Sequence, residues 1–265
     1  MKFKQLLDSK EYPCSDTPVI AFLGDSVTHG AFECVDGGSG CVFDFAAVYH
    51  NRLRLMISQK YDWIPISIIN AGVAGDTAAG GLERLERDVI SRRPDLCVVC
   101  YGLNDVGGEL DAYKNALREI FERLKQADIE VLFMTPNMLN TRVSDVVLDE
   151  LTVYAEVTAG MQNGGKMDAF MEAANEVAFA CGVAVADAYA LWKQMAQSGM
   201  DTTALLANGI NHPCREMHGM FAELLYETIF GAMSTIPEPE SAPEPTSEEG
   251  DEITPLEFEA QEQEG

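Results

Sequence analysis

The sequence predicts an α/β protein of three layers, α/β/α, built on a doubly wound parallel sheet of about five strands. Two observations lead there. Between residues 19 and 232, short apolar runs alternate with stretches of helical periodicity, as repeated strand–helix units require. The runs are apolar throughout rather than at every second residue, as expected of strands covered on both faces.

The first strand is expected at 19–23 (Val-Ile-Ala-Phe-Leu) and is followed at once by Gly24-Asp25-Ser26. A serine is thereby delivered to the carboxyl end of a buried strand, where a sheet of this class opens its ligand crevice. Further strands are expected at 66–69, 96–101, 131–134 and 183–186. Helices are expected at 45–59, 77–90, 111–127 and 215–232. The third of these carries Tyr113, Leu117, Ile120, Phe121 and Leu124 at helical spacing. The stretch 137–165 is polar, only partly periodic and longer than an ordinary connection, so it is a candidate lid or helical excursion over the crevice.

Composition narrows the function. The chain has 265 residues, 47% of them hydrophobic, and a net charge of −25. Residues 237–265 hold eleven of the 43 acidic residues and five of the 11 prolines, with no Lys or Arg. The domain is therefore read as 1–236, with an acidic Pro/Glu-rich tail that has too little apolar surface to fold and is expected to be disordered. The body is itself acidic, which disfavours nucleic acid or an anionic membrane as partner. No signal-like or membrane-spanning run is seen, so a cytoplasmic protein without membrane insertion is expected. The seven cysteines, an odd number at irregular spacing, fit a reducing compartment. Cys97 and Cys100 lie three apart inside an apolar run and so face opposite sides of a strand, as core residues rather than a redox pair.

The strand ends carry the chemistry. After the second strand comes Asn70-Ala71-Gly72-Val73-Ala74-Gly75-Asp76-Thr77, and after the third Gly102-Leu103-Asn104-Asp105. In a parallel sheet both loops emerge on the edge that carries Ser26. Glycine allows backbone N–H groups close approach, and an asparagine amide donates two hydrogens. With the Ser26 N–H they can hold the oxygen of a tetrahedral intermediate. Near the other end stands Asn208-Gly209-Ile210-Asn211-His212-Pro213, which supplies a histidine. His29, His50 and His218 are read as non-catalytic, and the spacing of His212 and His218 suits no common metal site.

Gly-Asp-Ser at 24–26, Gly75 in its loop, Gly-Leu-Asn-Asp at 102–105 and His212-Pro213, in that order, resemble the four blocks of the SGNH hydrolases, the GDSL esterase/lipase family. The resemblance implies a flavodoxin-like fold, Ser26 as nucleophile, His212 as general base, and Ser26, Gly75 and Asn104 as the oxyanion hole. It implies no metal and no organic cofactor. The substrate would be a small-molecule ester: a short-chain acyl ester, an O-acetylated sugar, a lysophospholipid or a thioester. Loops 31–44 and 137–165 would shape the pocket. In that family the acid of the triad stands three residues before the histidine, and here that position is Gly209. Asn208 is the nearest replacement as the group that orients the imidazole, as in Cys-His-Asn sites. A backbone carbonyl, Asp201 and Asp187 are the alternatives. Two other readings are a catalytically silent member of the same fold and a nucleotide-binding α/β protein. The second lacks a full Gly-x-Gly-x-x-Gly.

Overall fold

The strand order places the crevice. Along the chain run α1 (Lys2–Asp8), β1 (Val19–Gly24), α2 (Ser26–His29), β2 (Ala31–Val35), β3 (Gly40–Phe43), α3 (Tyr49–Lys60), β4 (Ser67–Gly72), α4 (Ala78–Asp88) and β5 (Leu96–Cys100). Then follow α5 (Leu110–Gln126), β6 (Glu130–Thr135), α6 (Thr152–Asn163), α7 (Lys166–Ala180), β7 (Ala184–Asp187), α8 (Ala188–Gln197) and α9 (Arg215–Phe230). Five strands form one parallel sheet in the order β4-β1-β5-β6-β7. This is the flavodoxin-like 2-1-3-4-5 order, with its switch point at β1 and β5. This computed structural model describes residues 1–231 apart from 13, 15, 36, 38 and 39, and Met1–Ala232 forms one compact unit. The acidic segment 237–265 lies outside the described residues. Among the described residues no helix is long and apolar enough to cross a membrane.

β1 and β5 are central, which is why their sequences are continuously apolar. Ile20, Phe22, Leu23, Leu96, Val98 and Val99 are fully buried, each stabilising the fold by about 1.5–3 kcal/mol. Cys97 and Cys100 are buried free thiols in the same strand, and burial pushes Cys97 up to about 12. α3 packs against α9 on one face, while α4 packs on α5 and α5 on α7 on the other. In α5 the buried residues include Tyr113, Leu117, Ile120, Phe121 and Leu124, the expected stripe.

Three segments between the expected strands and helices carry structure of their own. The loop 31–44 contains a small antiparallel hairpin, β2 and β3, outside the main sheet. The stretch 137–165 contains α6, and it is anchored. The Asn140 amide donates to the Ala155 carbonyl (2.8 Å), Thr158 donates to Asn140 Oδ1 (2.6 Å), and the Leu139 N–H donates to Gln162 Oε1 (2.9 Å). It is therefore a helical excursion rather than a free lid. Helices α7 and α8, unassigned from the sequence, complete the second half.

The carboxyl edge is tied together from α4. Arg84, with its side chain 10% exposed, donates to the carbonyl of Ala71 (2.6 Å), the carbonyl of Gly24 (3.1 Å), the Tyr101 hydroxyl (2.7 Å) and the Asp76 carboxylate (2.8 Å). Tyr101 in turn donates to Asp76 (3.1 Å). Gly81, inside α4, is what lets the Tyr101 ring come so close, since a Cβ there would overlap its hydroxyl and ring edge. Helix propensity alone favours Ala over Gly by about 1 kcal/mol. Gly81→Ala is nonetheless expected to lower Tm by a few degrees, because it displaces Tyr101 from Arg84 and Asp76. A melting scan showing an unchanged or raised Tm would contradict this account.

Candidate active site

Ser26 is the first residue of α2, reached by a turn that only small residues allow. The Asp25 carboxylate caps the helix by accepting from the Val27 N–H (3.0 Å). A Cβ on Gly24 would overlap Thr28 and the Cys100 carbonyl, and one on Gly72 would overlap the backbone of Thr28 and His29. The two glycines pair across β1 and β4, so this one turn of helix lies almost on the strand ends. Gly30, left-handed at φ 109°, then turns the chain into the hairpin. Ser26 itself keeps only 5% exposure.

His212 arrives from a loop pinned on both sides. The Asn137 amide donates to the Asn211 carbonyl (2.9 Å), the Asn140 N–H to the Ile210 carbonyl (2.8 Å), and the Ala207 N–H to the His212 carbonyl (2.7 Å). The ring then bridges two partners. Its Nδ1 lies 2.8 Å from the carbonyl oxygen of Phe32, and its Nε2 lies 2.9 Å from Ser26 Oγ. A carbonyl only accepts, so the hydrogen of the neutral ring sits on Nδ1, leaving the Nε2 lone pair to accept from the serine hydroxyl. Burial lowers the His212 pKa, opposed in part by the Phe32 carbonyl and the Glu33 charge. A hydroxyl paired in this way with a neutral imidazole can lose its proton to the ring as the oxygen attacks.

The expected role of Asn208 is corrected by this geometry. Its side-chain oxygen accepts from the backbone N–H groups of Ile210 (3.0 Å), Asn211 (2.9 Å) and His212 (2.9 Å). Its amide donates to Asn211 Oδ1 (2.9 Å). Asn208 builds the loop, and the Phe32 carbonyl occupies the ring nitrogen assigned to it. Asp201 is held by Arg142 (2.6 Å) and caps a short 3-10 turn. Asp187 accepts from Thr135 (2.8 Å) and caps α8. Gly209, at the family's acid position, has φ 68° and is crowded by Ser144, Val146 and Val147. A carboxylate at 209 thus meets both backbone strain and filled space.

The proposed oxyanion donors stand at three adjacent strand ends: Ser26 after β1, Gly75 after β4 and Asn104 after β5. Ser26 opens its helix and so has no intrahelical acceptor for its N–H. Gly75 adopts φ 78°, and among the described residues its N–H has no acceptor. One hydrogen of the Asn104 amide is taken by the Asp76 carbonyl (2.8 Å), fixing the side chain. The other remains. Asp105 joins the same two loops by accepting from the Ala78 N–H (2.9 Å).

The remaining histidines play other parts. His218 accepts from the Tyr49 N–H (3.2 Å), and burial lowers it to about 3. His50 is buried at about 4. His29 packs against Phe43 with its ring tilted, centroids 4.7 Å apart. Sequence reasoning missed the support behind the Phe32 carbonyl. Arg215 lies over the Phe32 ring at 4.4 Å and binds Glu33 (2.6 Å) and Asp44 (2.8 Å). The helical pattern of α9 gave Arg215 no distinguishing mark, and a main-chain carbonyl leaves none.

Two substitutions test the loop. Asn208→Ala leaves three backbone donors without their acceptor and is expected to lower stability by about 1–3 kcal/mol. Asn208→Asp retains the acceptor and should stay within about 1 kcal/mol of wild type by denaturant unfolding. Equal stability of all three proteins would refute the loop-building role. Gly209→Asp, which restores the family's acid in sequence, is expected to lose Tm and to gain no kcat. A faster enzyme would show that the loop can open to admit the side chain.

Residues 22–219 match the GDSL-like lipase/acylhydrolase family. Over 150 residues the chain is 25% identical to an acetylxylan esterase of Geobacillus stearothermophilus, covering 52% of this chain and 68% of that one. Its fold is similar to the crystal structure of Axe2, an acetylxylan esterase from the same organism, with a TM-score of 0.62 at 21% identity over 82% of this chain and 97% of the other. It is equally similar to a lipase/acylhydrolase from Enterococcus faecalis, with a TM-score of 0.62 at 21% identity over 80% and 95%. The family match spans Ser26, Gly75, Asn104 and His212, and this chain belongs to the GDSL-like lipase/acylhydrolase, or SGNH, family.

Proposed function

We propose that this protein is a serine esterase that hydrolyses small carboxylic esters carrying a short acyl or O-acetyl group. The observation that carries this reading is the 2.9 Å contact between Ser26 Oγ and His212 Nε2, with the other ring nitrogen held by the Phe32 carbonyl. Ser26 Oγ attacks the ester carbonyl while its proton passes to Nε2. The new oxyanion rests on the N–H groups of Ser26 and Gly75 and on the Asn104 amide. Collapse expels the alcohol, which takes the proton from the imidazolium. Water then attacks the acyl-enzyme with the same base, releasing the carboxylic acid and regenerating Ser26. An O-acetylated sugar is the first substrate to try, because the relative at 25% identity is an acetylxylan esterase.

The direct test is turnover of a chromogenic acetyl ester, followed by acyl esters of increasing chain length and acetylated xylo-oligosaccharides. Ser26→Ala is expected to reduce kcat by about a million-fold in a correctly folded protein. A wild type without ester turnover, or a variant retaining a few per cent of it, overturns the proposal.

Asn104→Ala is expected to lower kcat by about a hundred- to a thousand-fold with KM little changed, because the donor serves charge that develops only in the transition state. A rise in KM alone would assign Asn104 to ground-state binding.

The pH profile follows from the base. His212 must be neutral to accept the proton, and burial keeps it neutral to lower pH than an ordinary imidazole at 6.5. kcat/KM should therefore rise with pH through a single limb centred below 6.5 and stay flat at neutral pH. A limb centred above that value would mean that a full negative charge reaches the ring.

A further inference from the structure

The hairpin that supplies the Phe32 carbonyl also carries two cysteines, Cys34 on β2 and Cys41 on β3, directly opposite each other in its register. Both are free thiols and partly buried. One ligand atom each from Cys34, Cys41 and His212 lies within 4.8 Å of the other two. Two thiol sulfurs and an imidazole nitrogen are the donor set that thiophilic d10 cations prefer, Zn²⁺ first among them. Tetrahedral Zn²⁺, with bonds of roughly 2.3 Å to sulfur and 2.0 Å to nitrogen, needs these atoms roughly 3.5–3.8 Å apart, so the ligands have only about an ångström to close. The Asn208 amide, 3.8 Å from Cys34 Sγ, stands where it can donate to that sulfur.

We propose that Cys34, Cys41 and His212 form a zinc site that switches the enzyme off. The two thiol protons go to solvent as the Zn–S bonds form, and a solvent molecule completes the coordination. Inhibition follows whichever ring nitrogen binds the ion. At Nε2 the ion takes the lone pair that accepts from Ser26. At Nδ1 it displaces the Phe32 carbonyl, and the ring hydrogen moves to Nε2, which then donates to Ser26 Oγ instead of accepting from it. No oxidant or reductant is involved.

The inhibitory half of the proposal rests on the esterase reading, whereas the binding half does not, so the two are measured separately. Co²⁺ added to the reduced full-length protein is expected to give a sulfur-to-metal charge-transfer band together with the d–d bands of a tetrahedral site. Both should be lost in the Cys34→Ser/Cys41→Ser double variant, and the d–d bands should change in His212→Ala. Zn²⁺ should abolish turnover of the chromogenic ester in wild type, a chelator should restore it, and the double variant should keep its own metal-free rate in the same Zn²⁺. Absence of the charge-transfer band in the reduced wild type overturns the site. A band that is unaltered in His212→Ala, or Zn²⁺ inhibition that persists in the double variant, overturns the assignment of these three ligands. A protein that binds Co²⁺ as described but turns over no ester refutes the esterase reading while leaving the metal site intact.

Discussion

A largely buried guanidinium holds the carboxyl edge of the sheet in one shape. Arg84 reaches from α4 to the carbonyls at the ends of β1 and β4 and to the Asp76 carboxylate, and through Tyr101 to the residue just past β5. The loops that follow these three strands carry Ser26, Gly75 and Asn104. A buried ion pair is weak evidence for net stability, because desolvation offsets much of the Coulombic gain, yet removing one partner costs about 3–5 kcal/mol. The contribution of Arg84 is thus positional. Five donors in a rigid fork match the two strand-end carbonyls, a hydroxyl and a carboxylate at once, which a lysine could not span.

The other half of the site comes from outside the sheet and is held differently. The histidine loop is closed on itself by Asn208, and the hairpin that faces it is braced by Arg215 through Glu33, Asp44 and the Phe32 ring. A carbonyl oxygen fixes the imidazole tautomer as well as a carboxylate does, because both only accept. It brings a dipole rather than a full charge, so in the proposed reaction the imidazolium would be stabilised less. The nearest compensating charge is Glu33, whose carboxylate is already paired with Arg215. The crowded, left-handed Gly209 explains why the missing acid cannot simply return to its place in the family pattern.

Much of the fold is legible in the sequence because central strands must be apolar on both faces. All five parallel strands fall where their runs lie, and β1 and β4 extend only as far as Gly24 and Gly72, whose lack of a Cβ lets the ladder continue under α2. The loops that carry Ser26, Gly75 and Asn104 are legible for the same reason, since strand ends mark their positions. What escapes is carried by groups without a sequence signature. The Phe32 carbonyl orients the His212 ring through the main chain, and Arg84 reads as one more charged residue on an amphipathic helix. Asn208 resembles a catalytic amide in sequence position, yet three backbone N–H groups compete for its oxygen and win by proximity. In 137–165 the sequence leaves a lid and a helical excursion open because Asn140, Thr158 and Gln162 are polar. They are buried anchors, and their hydrogen bonds are the reason α6 is fixed.

Three carboxylates beneath the donor loops complete the physical picture. In the proposed reaction, an oxyanion over Gly75 and Asn104 would be disfavoured by negative charge close by, and Asp25, Asp76 and Asp105 all lie under that edge. Each is handled separately. Asp76 is matched by Arg84. Asp25 is pushed up to about 7 and Asp105 to about 6, in both cases chiefly by burial and further by neighbouring carboxylates. Each of the last two accepts a backbone N–H with one oxygen and, among the described residues, keeps the other buried without a partner. The same burial makes these aspartates costly to ionise, while their hydrogen bonds fix the turns that carry the Ser26 and Gly75 N–H groups. The edge of the sheet accepts poorly satisfied carboxylates because geometry at the donors matters more there than local stability.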